Sequence, residues 1–244
     1  MSGHSHSKKI KHAKELTDKK RGQIFSKLAR VIEVAVKEGG SSPETNPKLG
    51  AAIEEAKNFN IPKDNIERAI KRGSGELTGE NLEEVSFEAY GPGGIAMIIE
   101  GITDNKNRTL GEIKQILNQN QGKLAGEGSV RWMFDRKGCI AIYLKSQISN
   151  LKNKEDLELL LIEAGADDIY WHEEILDVYT KPEELEKVKK NLEEKGIKIE
   201  GASLDWVAKE EMKLDEKEKE TCQKLFESLD ELDSVQEIYS NLKM

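Results

Sequence analysis

Between Cys139 and Val207 the hydrophobic period switches in an order that few folds accommodate. Cys139 to Leu144 reads as a strand and Leu151 to Ala164 as a helix. Asp168 to Tyr179 reads as two strands meeting near Glu173 and Glu174, Pro182 to Lys195 as a helix, and Ile197 to Val207 as a strand. The resulting β-α-β-β-α-β succession is that of the split βαβ sandwich, in which one antiparallel sheet buries a single face under two helices.

The chain before this unit falls into two parts. Ile24, Phe25, Leu28, Val31, Ile32 and Ala35 recur at three- and four-residue spacing and predict a helix over Asp18–Lys37, stopped by Gly39 and Gly40. Leu49, Ala52, Ile53 and Ala56 predict a second helix, and Ile66, Ala69 and Ile70 a third that opens with Pro62 in its first turn and closes at Gly73. From Val85 the period becomes two. Val85, Phe87 and Ala89 alternate, Gly91-Pro92-Gly93-Gly94 turns the chain, and Ile95–Ile99 returns, which predicts a hairpin. A helix carrying Leu110, Ile113, Ile116 and Leu117 and a strand over Ser129–Phe134 are expected next, and in the tail a helix over Asp215–Leu232 and a strand over Val235–Tyr239. The expectation is a multidomain α+β protein: an N-terminal three-helix bundle plus two ferredoxin-like split βαβ domains, one inserted in the other. Residues 1–78 form the arm and bundle, 79–136 with 208–244 a discontinuous α+β domain, and 137–207 the insertion.

Charge is divided along the same lines. Residues 1–75 hold sixteen Lys/Arg against nine Asp/Glu, whereas residues 76–244 hold 22 against 37, so a net of +7 faces one of −15. The total of −8 conceals one end that attracts a polyanion and a larger part that repels it. No apolar run approaches the ~18 residues of a membrane span, so no membrane partner is expected. Cys139 and Cys222 are too few for a disulfide framework or a zinc site; both read as buried apolar residues in a reducing cytoplasm. The start, basic but without arginine or a hydrophobic core, is read as mature protein rather than a transit or signal segment.

The candidate polyanion contacts are Lys8, Lys9, Lys11, His12, Lys14, Lys19, Lys20, Arg21, Lys27 and Arg30 in the arm and first helix, Lys63, Arg68, Lys71 and Arg72 about the third helix, and Arg108. Lysine is a flexible point charge, so this set suits phosphate more than base edges and predicts weak sequence specificity. Each has a plainer reading: a solvated charge run for the arm, macrodipole complementation for Lys71 and Arg72, and a helix-start residue beside an Asn105 or Asn107 cap for Arg108. The GPGG turn leads into a strand rather than a helix, which makes it a hairpin turn and not a phosphate cradle. His4 and His6 lack a neighbouring carboxylate or thiol, and His172 lacks a nucleophile, so neither a metal nor a catalytic constellation is expected. No Walker or G-x-G-x-x-G pattern implies a nucleotide cofactor.

These residues also carry a resemblance. Gly3-His4-Ser5, Ile10-Lys11-His12, Lys20-Arg21-Gly22, the block Pro62–Gly73 (PKDNIERAIKRG), Tyr90–Gly94, Thr103–Thr109 and Trp132-Met133-Phe134 stand in the order seen in the YebC/PmpR family. The resemblance implies a helical N-terminal domain followed by two α+β domains, and a cytoplasmic, non-enzymatic regulator of gene expression. Its partner would be promoter DNA, as for bacterial members described as transcriptional regulators, or rRNA or tRNA on the ribosome, as for relatives similar to the mitochondrial translational activator of cytochrome c oxidase. A protein-interaction scaffold with incidental nucleic-acid affinity, using the acidic domains, is the alternative. The chain departs from the family pattern at Ser7, where a tryptophan is usual, at Ala13, where a basic residue is usual, and at Gly50, where arginine is usual. Loss of that aromatic removes stacking worth roughly 1–3 kcal/mol per base and shifts binding toward electrostatics.

Overall fold

The computed structural model describes residues 18–144, 154–172 and 174–243. Helices α1 (Asp18–Gly39), α2 (Pro47–Asn58) and α3 (Lys63–Gly73) come first. Their apolar faces close one core in which Leu28, Ile32, Ala35 and Val36 meet Leu49, Ala52, Ala56, Ile61, Ile66 and Ala69. Buried Asn46 fixes the first corner. Its Oδ1 accepts the N–H of Leu49 at 3.1 Å as the α2 cap, while its Nδ2 donates to the Ala35 and Gly40 carbonyls at 2.7 and 2.8 Å. One side chain thus satisfies a free donor of one helix and free acceptors at the end of another. Pro62 stands at the cap position rather than in the first turn of α3; its ψ of 139° is extended, so the helix begins one residue later than its spacing suggests.

Strands β1 (Glu83–Tyr90) and β2 (Ala96–Thr103) form the expected hairpin, in register from Glu83↔Thr103 to Tyr90↔Ala96. The turn contains a short 3-10 segment at Pro92–Gly94. Gly93 has φ of 64° there, and a Cβ would meet Leu214 Cδ2 at 2.5 Å, so both backbone and space require glycine. Helix α4 (Lys106–Gln119) follows, burying Ile113 and Leu117, and a two-residue strand β3 (Lys123–Leu124) pairs with β1.

The strand expected over Ser129–Phe134 is absent: Arg131–Met133 is a 3-10 turn, and β4 (Phe134–Tyr143) begins at Phe134. The cause is the carboxylate of Glu88. It accepts the N–H groups of Gly128, Val130 and Arg131 at 2.7, 2.7 and 3.0 Å, consuming the donors that a strand would offer a ladder.

The β-α-β-β-α-β succession is completed by α5 (Lys154–Ala164), β5 (Asp168–Trp171), β6 (Ile175–Thr180), α6 (Leu185–Glu194) and β7 (Ile199–Ala208). The sheet order is β5-β6-β4-β7, with all three pairings antiparallel. Ile140, Ile142, Leu176 and Val178 bury one face against Leu157, Leu161, Val188 and Leu192 of the two helices. The tail forms α7 (Glu216–Asp230), started by an Asp215–Glu218 capping box, and β8 (Val235–Ser240). The other sheet has the order β3-β1-β2-β8.

The molecule is therefore an α+β protein with an N-terminal three-helix region and two four-stranded sheets with helices. It divides into two compact units. Residues 18–131 with Met212–Ile238 hold the helical region and the hairpin sheet, and the described residues of 132–211 with 239–243 hold the second sheet. No described helix is long and apolar enough to cross a membrane.

Candidate nucleic-acid interface

Lys8, Lys9, Lys11, His12 and Lys14 lie outside the described residues, as do His4 and His6. Lys19 and Lys20 stand in the first turn of α1, where Lys20 and Arg21 are exposed. The next two candidates on this helix face elsewhere. Lys27 is buried, its Nζ 2.7 Å from Asp230 Oδ1 and 2.8 Å from the Asp230 carbonyl at the end of α7. Arg30 Nη1 donates to the Ile102 carbonyl at 3.1 Å. Both cations hold α1 to the hairpin sheet and its helix, which is a structural task.

The third helix presents its cations outward. Arg68 and Lys71 are exposed, and Lys63 is exposed 3.3 Å from Glu67 one turn on. Arg72, also exposed, places Nη1 3.3 Å from Glu33 Oε1. Burial raises the Glu33 carboxyl above the ordinary carboxylate range, against the opposing pull of Arg72. Arg108 is exposed in the first turn of α4, paired with Asp104. Its N–H is received by Asn105 Oδ1 at 3.1 Å, so of the two possible caps Asn105 serves. The structure thus leaves Lys20, Arg21, Lys63, Arg68, Lys71, Arg72 and Arg108 at the surface, while Lys27 and Arg30 are engaged internally.

Elsewhere the chemistry is quiet. Cys139 and Cys222 are both buried free thiols. Burial, with Asp205 and Asp177 nearby, pushes Cys139 well above the usual thiol value, and burial pushes Cys222 up to about 11, so neither offers a thiolate. His172 Nε2 lies 2.7 Å from Oδ2 of fully buried Asp177, a pairing within the β5–β6 hairpin. Among the described residues no three His, Cys, Asp or Glu side chains converge as a metal site would require.

Lys37 escaped notice in the sequence. It lies at the far end of the α1 stripe, where its Nζ donates to Asn81 Oδ1 and, at 3.3 Å, to the Leu82 carbonyl. Its signal was available: Gln23, Lys27, Arg30, Val34 and Lys37 are spaced four, three, four and three apart, which makes them one face of a helix.

Against known proteins, residues 5–76 match the family model described as "TACO1/YebC protein N-terminal domain", and residues 82–242 match "TACO1/YebC second and third domain". A protein of Caldanaerobacter subterraneus subsp. tengcongensis described as a "probable transcriptional regulatory protein" is 47% identical over 244 residues, covering 100% of this chain and 99% of its own. One of Thermotoga maritima with the same description is 46% identical, covering 100% and 94%. The crystal structure of the conserved hypothetical protein Aq1575 from Aquifex aeolicus superposes with a TM-score of 0.85 at 44% identity, over 93% of this chain and 91% of that one.

Proposed function

The chain belongs to the TACO1/YebC family, a non-enzymatic family of probable transcriptional regulators, and from that premise we propose that it regulates gene expression by gripping nucleic-acid phosphate backbones through its basic end. The observation that carries this reading is the segregation of charge, +7 over residues 1–75 against −15 over the remainder. Cations at the start of α1 and along α3 would extend the arm's positive field, and the acidic remainder would keep the rest of the molecule off the polyanion. Lysines supply salt-sensitive attraction without base discrimination. The protein would act in the cytoplasm. In the same reading the two sheets are ferredoxin-like split βαβ units, with residues 137–207 inserted into a domain made of 79–136 and 208–244.

Weak base discrimination favours structured RNA of the translation apparatus over discrete promoters, because a promoter must be found among very many competing sites. Crosslinking in living cells, with sequencing of bound DNA and RNA and mapping of the joined residues, tests this. Reads on rRNA or tRNA joined to residues 8–30 are expected. Reads at discrete promoters would overturn the RNA assignment and make the protein a transcription factor in the strict sense. Absence of nucleic acid from the crosslinks, with function surviving Lys8→Glu, Lys9→Glu, Lys11→Glu and Lys14→Glu together, would leave the scaffold reading.

A further inference from the structure

The stripe Gln23, Lys27, Arg30, Val34 and Lys37 on α1 rests on the hairpin-sheet half of its own compact unit through a row of polar groups around buried Val34. Gln23 Nε2 donates to the Glu231 carbonyl at 3.3 Å, Lys27 to Asp230, Arg30 to the Ile102 carbonyl, and Lys37 to Asn81 and Leu82. Among the described residues the apolar cluster at this seam is Val34, Leu82 and Ile102 with part of Val31, which also packs against the core of the three helices. A cleft of about 330 Å³ opens at its end, lined by Glu33, Lys37, Arg72 and Asn81 among others. A small, polar and partly open contact between the two halves is the kind that moves, since large apolar area is what makes such contacts permanent.

We infer that this seam is a polyanion-sensitive latch: closed, it spends Lys27 and Arg30 on internal acceptors and ties exposed Lys37 to Asn81 and Leu82; open, it frees all three cations for the phosphate-binding surface. The inference rests on the proposed function for the identity of the ligand. The acceptors are replaceable ones. Asp230 is 63% exposed in its side chain and can be solvated when Lys27 leaves. The Ile102 and Leu82 acceptors are single carbonyl oxygens and Asn81 offers a neutral amide oxygen, whereas a phosphate offers the same cations full negative charge and several oxygens. Lys27, Arg30 and Lys37 lie on the helix that begins with exposed Lys20 and Arg21, so a backbone seated at its start would meet them along the same axis. Opening therefore couples backbone binding to release of the hairpin-sheet half, and it is driven by ligand charge rather than by base sequence.

The test uses the full chain with isotope-labelled methyl groups, a soluble paramagnetic agent, and a single-stranded RNA of about twenty nucleotides, the length of one to a few single-strand binding footprints. Val34 and Ile102 are each 5% exposed, and their methyls should become accessible on saturation with RNA, while Ile32 in the helical core and Ile98 in the sheet stay protected. Asp230→Asn should expose the same two methyls without RNA, raise RNA affinity severalfold, and steepen the log–log salt dependence by about 0.7 for each cation released. Val34 and Ile102 remaining protected at saturation would overturn the latch. Should RNA fail to bind at all, the proposed function falls, and the latch is then decided by Asp230→Asn alone: unexposed methyls in that variant overturn it.

Discussion

Glu88, in the middle of a strand, receives the backbone N–H of Val130 at 2.7 Å across a separation of 42 residues. With the same carboxylate also taking Gly128 and Arg131, the loop that follows β3 is shaped by one buried side chain. Glu88→Ala should therefore strand three donors and cost about 2–4 kcal/mol of stability, near the upper end of single-site effects. Denaturant unfolding should show a lower midpoint with little change in slope; an unchanged midpoint would mean that water serves those amides equally well.

The same residue gives stability a pH dependence. Burial pushes the Glu88 carboxyl up, but three amide N–H bonds and the Arg131 charge outweigh it and leave the group below its ordinary value. A carboxyl depressed by folding contributes stability that is complete above its unfolded-state pKa and is lost as pH falls through its folded-state pKa. Acid unfolding of the native chain should thus steepen below the ordinary glutamate range, and Glu88→Gln, which cannot titrate, should lose that component. Equal acid limbs for the two proteins would contradict the assignment.

Asn46→Ala removes the α2 cap and leaves the Ala35 and Gly40 carbonyls without their shared donor. The expected loss is about 1–3 kcal/mol, read as a fall in the thermal midpoint. Asn46→Ser should recover part of it, since serine can cap but cannot reach both carbonyls. No recovery would place the effect in the carbonyl bonds rather than in the cap.

Most elements were legible because period and punctuation agree. The spacing of Ile24 to Ala35, the GPGG turn between an alternating run and a short apolar one, and the β-α-β-β-α-β order each appear in the structure as read. The misreading at Ser129–Phe134 has a nonlocal cause. Glu88 alternates with Phe87 and Ala89 and so looks like a solvent-facing strand residue, and nothing near Val130 announces that a carboxylate far back in the chain will take its N–H. The candidate site failed similarly at Lys27 and Arg30. Charge counting treats every cation as available, whereas these two lie on the α1 face that meets Asp230 and Ile102, partners separated from them by 203 and 72 residues. The first exposed turn of α1 and the outward side of α3 were legible as charge; which cations the fold would spend was not.

That distinction separates two lysines by experiment. Lys71 is exposed on α3 and Lys27 is buried against Asp230, so of the two only Lys27 should affect folding stability. Lys71→Ala should leave the unfolding midpoint within error, because exposed helix lysines contribute little to folding. In the proposed function it should weaken binding to a single-stranded RNA and lower the log–log salt slope by about 0.7, the share of one phosphate contact. Lys27→Ala should lower stability by about 1 kcal/mol, a value kept small because Asp230 is largely solvated already. Titrations at several salt concentrations, run beside denaturant melts of both variants, decide the matter. A stability loss for Lys71→Ala would assign that residue to the fold, and unchanged binding with an unchanged salt slope would remove α3 from the interface, leaving backbone contact to the arm and the start of α1.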